Sequence, residues 1–462
     1  MERINLRAAA SKLNRLHGRF AKLFGRCESQ RHSQTYVRGL LLAEGRKSVE
    51  PMALVFASHS TNAGRPSQPD VLALQRFLTL SPWEASDVQA EIERAFVEEF
   101  VPSTCQWPLG TVGIIDESAF PKQGAESVGV ARQWCGRLGK KANCQVGVFL
   151  VGVTPAGSAL LQHRLFLPQS WVDDGARRKK TRVPQEVGFQ SKVEIAADLL
   201  QRTRDNGAVT FDWVVADEGY GRSSDWYDWL DEHNQRYLIE IPVNMTFAIE
   251  APQRRTPQAD VTTFQARKIA GWIPAGGWTR LALREGAKGP LVFEFARLRV
   301  WDVRHCELGN PCWLLFRRPL EPGGEIKYYK SNAGEETSLE TMALVSGTRY
   351  RVEEFFEDGK GELGLGDYEA RSWTSWHHHM TLVALAHFYV QQVRQEVQRD
   401  VPELTLEMAL RIVRTALDRP TLTPDDSLHI INYHLTRNKT ATASHRKTWL
   451  RKHKHPKFKP LL

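Results

Sequence analysis

Residues 214–221, VVADEGYG, form an apolar run that stops on an acid and breaks at once into a Gly-x-Gly turn. A short run of β-prone apolar residues bounded by a turn signal reads as a buried strand, and its last residue, Asp217, is then delivered to the strand's end. Residues 113–124, GIIDESAFPKQG, have the same form and deliver Asp116. A third acidic stretch, residues 349–365 (RYRVEEFFEDGKGELGL), has helical rather than strand spacing and centres on Glu353.

The sequence between the first two acids supplies the remaining strands. Residues 145–154 (QVGVFLVGVT) and 163–168 (HRLFLP) read as the next two strands of a meander, and residues 193–207 (VEIAADLLQRTRDNG) as an amphipathic helix closed by Asn206-Gly207. Three antiparallel strands, a helix and a strand parallel to the first are the opening order of a ribonuclease-H-like domain. Residues 172–189 (VDDGARRKKTRVPQEVGF) read as too polar to pack, hence as an exposed basic loop. Glu353 lies 136 residues beyond Asp217, and the gap is β-patterned at 291–301, 312–320 and 325–333, with Gly/Pro turns between. The expected fold class is therefore α/β: a ribonuclease-H-like catalytic core interrupted by a β-rich insertion, with an N-terminal helical DNA-binding domain and a basic C-terminal tail. The boundaries expected are 1–104 for the helical, end-binding domain and 105–240 for the first part of the core. They continue with 241–338 for the insertion, 339–400 for the second part of the core with the Glu helix, and 401–462 for C-terminal helices and the tail.

Charge is unevenly placed. The formal net charge is +9, yet residues 437–462 hold nine Lys/Arg and no acid, and the first 47 residues hold eleven Lys/Arg against three acids. Two basic ends thus flank an acidic body. Basic ends suit phosphate contacts, and an acidic centre suits a site that concentrates divalent cations. Expected phosphate contacts are Arg46 and Lys47 near the N-terminus, together with Arg31 and Arg38, and Arg446, Lys447, Arg451 and Lys452 in the tail. Lys122, Arg132, Lys140 and Lys141, which follow closely on the first acid, are expected to hold DNA beside it. No run is apolar enough to span a membrane, and the N-terminus lacks the apolar core of a signal peptide, which points to the cytoplasm and the nucleoid. Six scattered cysteines with no C-x-x-C pair exclude a disulfide framework or zinc ribbon, leaving Cys135, Cys144, Cys306 and Cys312 as expected core thiols. His377, His378 and His379 fan out by about 100° per residue on a helix and cannot converge on one ion, so they are expected at the surface or facing DNA. Trp226, Trp229, Trp373 and Trp376 are expected to be packing residues.

Chemistry follows from the acids. Carboxylates at the ends of adjacent parallel strands repel each other unless cations lie between them, and hard oxygen ligands select Mg²⁺ or Mn²⁺. Asp116, Asp217 and Glu353 as ligands of two such ions would suit phosphoryl transfer on DNA. Glu117 and Glu218 are rivals, but neighbours along a strand point to opposite faces. On the helix, Arg349, Glu353 and Lys360 fall at about 0°, 40° and 20°, a single stripe on which Arg349 and Lys360 are expected to grip DNA phosphates beside the metal-binding carboxylate; Glu354 is off it, and Glu357, at about 80°, is the reserve.

The chain resembles the DDE-type insertion-sequence transposases of the insertion sequence 701 family. Residues 116–150, LPQSWVDD, ADEGYG and KGELGLGDYEARSWTSWHHHMTL carry the resemblance. Arg349, Glu353 and Lys360 also match the spacing of a Y-R-E-K signature seen in related transposases, while Ser346 stands at the Tyr position and Tyr350 is the spatial candidate to replace it. The resemblance implies a DNA transposase that cleaves transposon ends by a two-metal-ion mechanism and transfers them into target DNA. Its partners would be the terminal inverted repeats and target duplex, bound by a dimer on paired ends. A domesticated non-cutting DNA-binding protein and a ribonuclease-H-fold nuclease without strand transfer are the alternatives.

Overall fold

The structure, a computed structural model, describes residues 6–56, 71–250, 262–286, 289–321, 323–399, 401, 404–417 and 424–452. Residues 58–70 (SHSTNAGRPSQPD), whose Gly, Pro and Ser content predicts a loop, and the last residues of the basic tail lie outside them. The core sheet is built from β1 (Val112–Pro121), β2 (Ala131–Cys135), β3 (Lys140–Thr154), β4 (Gly157–Leu165), β5 (Trp213–Ala216) and β6 (Tyr237–Glu240). β3 runs antiparallel to β1 on one side and to β2 and β4, in turn, on the other; β1, β5 and β6 are mutually parallel. The resulting order β4-β3-β1-β5-β6 is consistent with the ribonuclease-H-like core expected from the sequence. Val112, Ile114, Ile115 and the whole of β5 are buried, as strands covered on both faces require.

Helices cover this sheet. α1 (Leu6–Ala21), α2 (Cys27–Leu42), α3 (Val49–Val55), α4 (Val71–Leu80) and α5 (Ala85–Glu99) precede it, while α6 (Gln169–Val172), α7 (Gly175–Thr181) and α8 (Lys192–Asn206) lie between β4 and β5. α8 begins on a capping box of Ser191 and Glu194 and ends at Gly207, whose φ of 69° is the left-handed cap that the Asn-Gly pair foretold. α9 (Ser224–Glu232) joins β5 to β6.

Residues 172–189 correct the sequence reading. Instead of an exposed loop they hold α7 and a turn that buries Thr181, Val183 and Val187, and Arg178 donates to the carbonyls of Pro184 and Gln185. Spaced apolar residues and satisfied carbonyls let so polar a segment pack.

The insertion comprises β7 (Thr246–Ala248), β8 (Thr263–Gln265), α10 (Ala266–Ala270), β9 (Thr279–Gly286), β10 (Gly289–Arg304), β11 (Glu307–Pro319) and β12 (Lys327–Ser331). It does not stand apart from the core: β12 pairs antiparallel with β6, so core and insertion form one twelve-stranded sheet. The long β10–β11 hairpin turns at His305 and Cys306, both at positive φ, so Cys306 is exposed at a turn rather than a core thiol. Below it Lys330 and Asp302, both fully buried, form an ion pair that Arg304 extends to Asp228 and Asp231.

α11 (Leu339–Thr348) and α12 (Tyr350–Gly361) return the chain to the core and lead to α13 (Trp373–Gln398), α14 (Leu406–Ala416) and α15 (Pro424–Lys452). α13 is buried on all sides over Met380–Val393, the polar Thr381, His387, Gln391 and Gln392 included. α1, α2, α4 and α5 pack around it, so the described helices that precede the sheet share one hydrophobic core with it. The three histidines are part of this packing and not of the surface. His378 and His379 are buried, Tyr36 Oη lies 2.8 Å from His379 Nδ1, and His379 Nε2 lies 3.0 Å from the Gly364 carbonyl. Burial pushes His379 down to about 3, so the ring is neutral: Nε2–H donates to Gly364 and Nδ1 accepts from Tyr36.

Candidate active site

Asp116 is not the last residue of its strand. β1 continues to Pro121 along β3, but its parallel partner β5 stops at Ala216, opposite Ile115. Asp116 and Asp217 are therefore the next residues on two adjacent strands, at the point where the pairing ends. Asp217 is fixed by the turn after it: its Oδ1 accepts the Gly219 N–H (2.9 Å), and its carbonyl accepts from Tyr220 and Gly221 (3.2 Å each). Gly221 is obligatory, because a Cβ there would lie 2.1 Å from the Glu240 carbonyl oxygen.

α12 brings in the third acid. Asp116, Asp217 and Glu353 line one open cleft of about 810 Å³, together with Glu357, Lys360, Arg137 and Trp134. Val352 and Phe355 bury the other side of α12 and so fix which face meets the cleft, while Phe356 lines the cleft itself. Glu354 is off that face and pairs with Arg351 (3.2 Å). Glu357 shares the cleft, so the structure places both it and Glu353 within reach of the aspartates. Glu117 also lines the cleft but is paired with Lys192 of α8 (2.6 Å), and Glu218 pairs with Arg222.

Arg349, at the α11–α12 junction, bridges two of the acids: Nη1 lies 3.1 Å from Asp116 Oδ2 and Nη2 2.6 Å from Glu353 Oε1. The other oxygen of Asp116, Oδ1, accepts the Glu117 N–H at 2.7 Å. Burial, and then the charge of Asp217, push Asp116 up to about 7 in spite of Arg349. Tyr220, buried beside Asp116, Asp217 and Glu117, has a hydroxyl with no hydrogen-bond partner among the described residues. Oxygen donors only, two carboxylates that repel each other and an orphaned hydroxyl are the set a hard divalent cation and its water would complete. These residues fit such an ion.

The expected DNA-contacting residues divide. Arg132, Lys140 and Lys141 are exposed on the β2–β3 hairpin, and Lys360 lines the cleft. Arg46 is exposed but paired with Glu369 (3.3 Å). Lys47 is a correction: it is 2% exposed, with its ammonium on the Ala43 carbonyl and its N–H on Asp367 (2.8 Å), so it cannot reach a phosphate. Lys122 is also turned inward, bonded to the Tyr368 carbonyl (2.9 Å) and lying 3.4 Å from that ring's centre; burial lowers it to about 8. Arg446, Lys447 and Arg451 are exposed on α15, which prolongs the expected tail as a helix and is tied to α3 by an Arg437–Glu50 ion pair; the Lys452 side chain lies outside the described residues. Ser346, at the Tyr position of the signature, is buried on the Ala343 carbonyl (2.7 Å), while Tyr350 lies under the Arg284 guanidinium (3.7 Å).

Sequence reading missed Tyr220, Arg137 and Trp134. Trp134 is 54% exposed at the cleft's rim, and its signal was available: in RQWCGRLGKK the Trp falls on the same strand face as Arg132. A separate cluster, Asp225, Asp228 and His305, has ligand atoms within 4.8 Å of one another, but it is largely exposed and Asp228 is already held by Arg304.

The family model described as DDE superfamily endonuclease matches residues 19–288, more than half of the chain, and includes Asp116 and Asp217. The one described as transposase DDE domain matches residues 188–389 and includes Asp217 and Glu353. A probable transposase for insertion sequence element IS701 from Microchaete diplosiphon is 30% identical over 172 residues, which is 37% of this chain and 40% of that protein. The chain thus matches less than half the length of that relative. With its acids drawn to one cleft at the end of a mixed sheet, and with both models matching across them, the chain belongs to the DDE superfamily of endonucleases.

Proposed function

We propose that the cleft cuts DNA at the ends of a transposable element and joins those ends to target DNA, with Asp116, Asp217 and Glu353 as ligands of two divalent cations, Mg²⁺ or Mn²⁺. The observation that carries this reading is the convergence of the three acids, from β1, the end of β5 and α12, on one open cleft. When bound, the ions would activate the attacking water or 3′-hydroxyl and stabilise the leaving 3′-oxygen. The protein's own part is placement. The parallel pairing of β1 and β5 sets the spacing of the two aspartates, and the turn through Gly221 prevents Asp217 from rotating away. α12 carries Glu353 and Lys360 on one face, so that a phosphate beside the scissile bond meets a cation about two helical turns from the ligand. Arg132, Lys140 and Lys141 extend that positive rim along the β2–β3 hairpin, and Arg446, Lys447 and Arg451 of α15 add sequence-independent grip. The N-terminal helices would read the terminal repeats, in a dimer on paired ends.

The test uses purified protein with Mg²⁺ and a DNA fragment bearing the element's two ends in their native flanks. Nicks at the ends and joined products are expected, and a fragment without the ends should yield neither. Cleavage that ignores the ends, without joining, would replace this reading with that of a plain nuclease.

A further inference from the structure

Arg349 occupies a place that a DNA phosphate contact does not require. Its guanidinium spans Asp116 and Glu353, acting as an internal cation between two acids of the cleft. Its backbone is helical (φ −55°, ψ −32°) and continuous with α11 and α12, so only the side chain is free to move. Behind it lies a second cavity of about 400 Å³, and Glu353 lines both that cavity and the acidic cleft. This second cavity, between the insertion and the α11–α12 junction, is lined by Arg284, Arg317, Lys327 and Arg351 besides Arg349 itself, and its acids are Glu240 and Glu353. Glu240 is already paired with Lys327 (2.8 Å). A guanidinium released from the aspartate would therefore enter a positively lined space, which is unfavourable unless an anion is there to receive it.

We infer that Arg349 is an exchangeable counter-ion: it holds Asp116 and Glu353 together in the free protein, excludes divalent cation from them, and leaves only when a DNA phosphodiester enters the neighbouring basic cavity. The inference rests on the reading of Asp116, Asp217 and Glu353 as metal ligands. Metal loading and DNA engagement are then linked, and the linkage must be reciprocal: DNA tightens metal binding by the factor by which metal tightens DNA binding. The protein would stay unloaded until its substrate is in place, which limits indiscriminate hydrolysis.

The test is Mn²⁺ binding to the full chain, followed by electron paramagnetic resonance, with and without a duplex oligonucleotide whose own Mn²⁺ uptake is subtracted. Without DNA, Arg349→Gln should bind Mn²⁺ about ten-fold tighter than wild type, and Arg349→Lys, which can reach only one acid at a time, should fall between. DNA should tighten wild type by about the same factor and leave Arg349→Gln within about two-fold. An Arg349→Gln affinity equal to or weaker than wild type in the absence of DNA would overturn the inference, as would equal tightening by DNA in both proteins. Asp116→Asn separates the two levels: unchanged Mn²⁺ binding in that variant would overturn the metal-ligand reading itself. Circular dichroism of each variant, and the intermediate position of Arg349→Lys, keep a folding defect from passing as either result.

Discussion

Asp116→Asn should make the metal-free protein more stable. Burial and the neighbouring Asp217 charge raise Asp116 from 3.8 to about 7. Three units at about 1.4 kcal/mol each put the native-state cost of ionising it near 4 kcal/mol, an upper figure. Asparagine removes that charge and can still accept the Glu117 N–H, but it forfeits the ion pair to Arg349, which is left with Glu353. We expect a net gain of roughly 1–3 kcal/mol above pH 7. The sign follows from a folded value above the unfolded one: the contribution from protonated Asp116 is fully present below about pH 4 and is lost as pH rises through about 7. The gap between variant and wild type should thus be small at pH 4.5 and fully open at pH 8. In a chain of this size it should amount to about 2–5 °C in melting temperature. The assay is calorimetry in EDTA at both pH values. With a duplex oligonucleotide present, Mg²⁺ in place of EDTA should then raise wild type further than DNA alone does but not the variant, because the native acid cluster takes up the ion once DNA is bound. A variant that melts at or below wild type at pH 8 would show that the two aspartates are not in electrostatic conflict.

Glu353→Gln should reduce end cleavage by about a thousand-fold with binding retained, while Glu357→Gln stays within about ten-fold; the reverse ranking, read from cleavage of a pre-bound end, would move the third ligand one turn along α12. Lys330→Met should destabilise by about 3–5 kcal/mol, seen as loss of the melting transition at its usual temperature, because it strands buried Asp302 with Arg304 as its remaining partner. Deleting residues 437–462 should weaken binding to specific and random duplex alike and flatten its salt dependence; an unchanged slope would make the end of α15 a bystander.

What was legible in the sequence was whatever repeats with a short period. β1, β3, β5 and α8 announce themselves by apolar alternation, runs and caps, and the helix arithmetic that put Arg349, Glu353 and Lys360 on one stripe agrees with the face α12 presents. The rest depended on long-range packing. Lys47 looks like any surface lysine until α2 and the 364–367 turn close over it. His378 and His379 look polar until neighbouring carbonyls satisfy them in the core. The β10–β11 hairpin turns on His305-Cys306 without the Asn or Gly that such a turn favours, so no local signal marked it. Arg349 was foreseen as a hand for DNA, but its grip on Asp116, 233 residues away in sequence, is a fact of the fold.

The central claim, that Asp116, Asp217 and Glu353 together hold the catalytic cation, is tested most directly by putting Fe²⁺ in its place. With ascorbate and peroxide, bound Fe²⁺ generates radicals that cut the polypeptide beside its ligands, and mass spectrometry maps the cuts. In the DNA-bound protein the account predicts backbone cleavage clustered around residues 116, 217 and 353, suppressed by excess Mg²⁺ and abolished in Asp116→Asn. Cuts concentrated instead around Asp225, Asp228 and His305, or a pattern indifferent to Asp116→Asn, would contradict it.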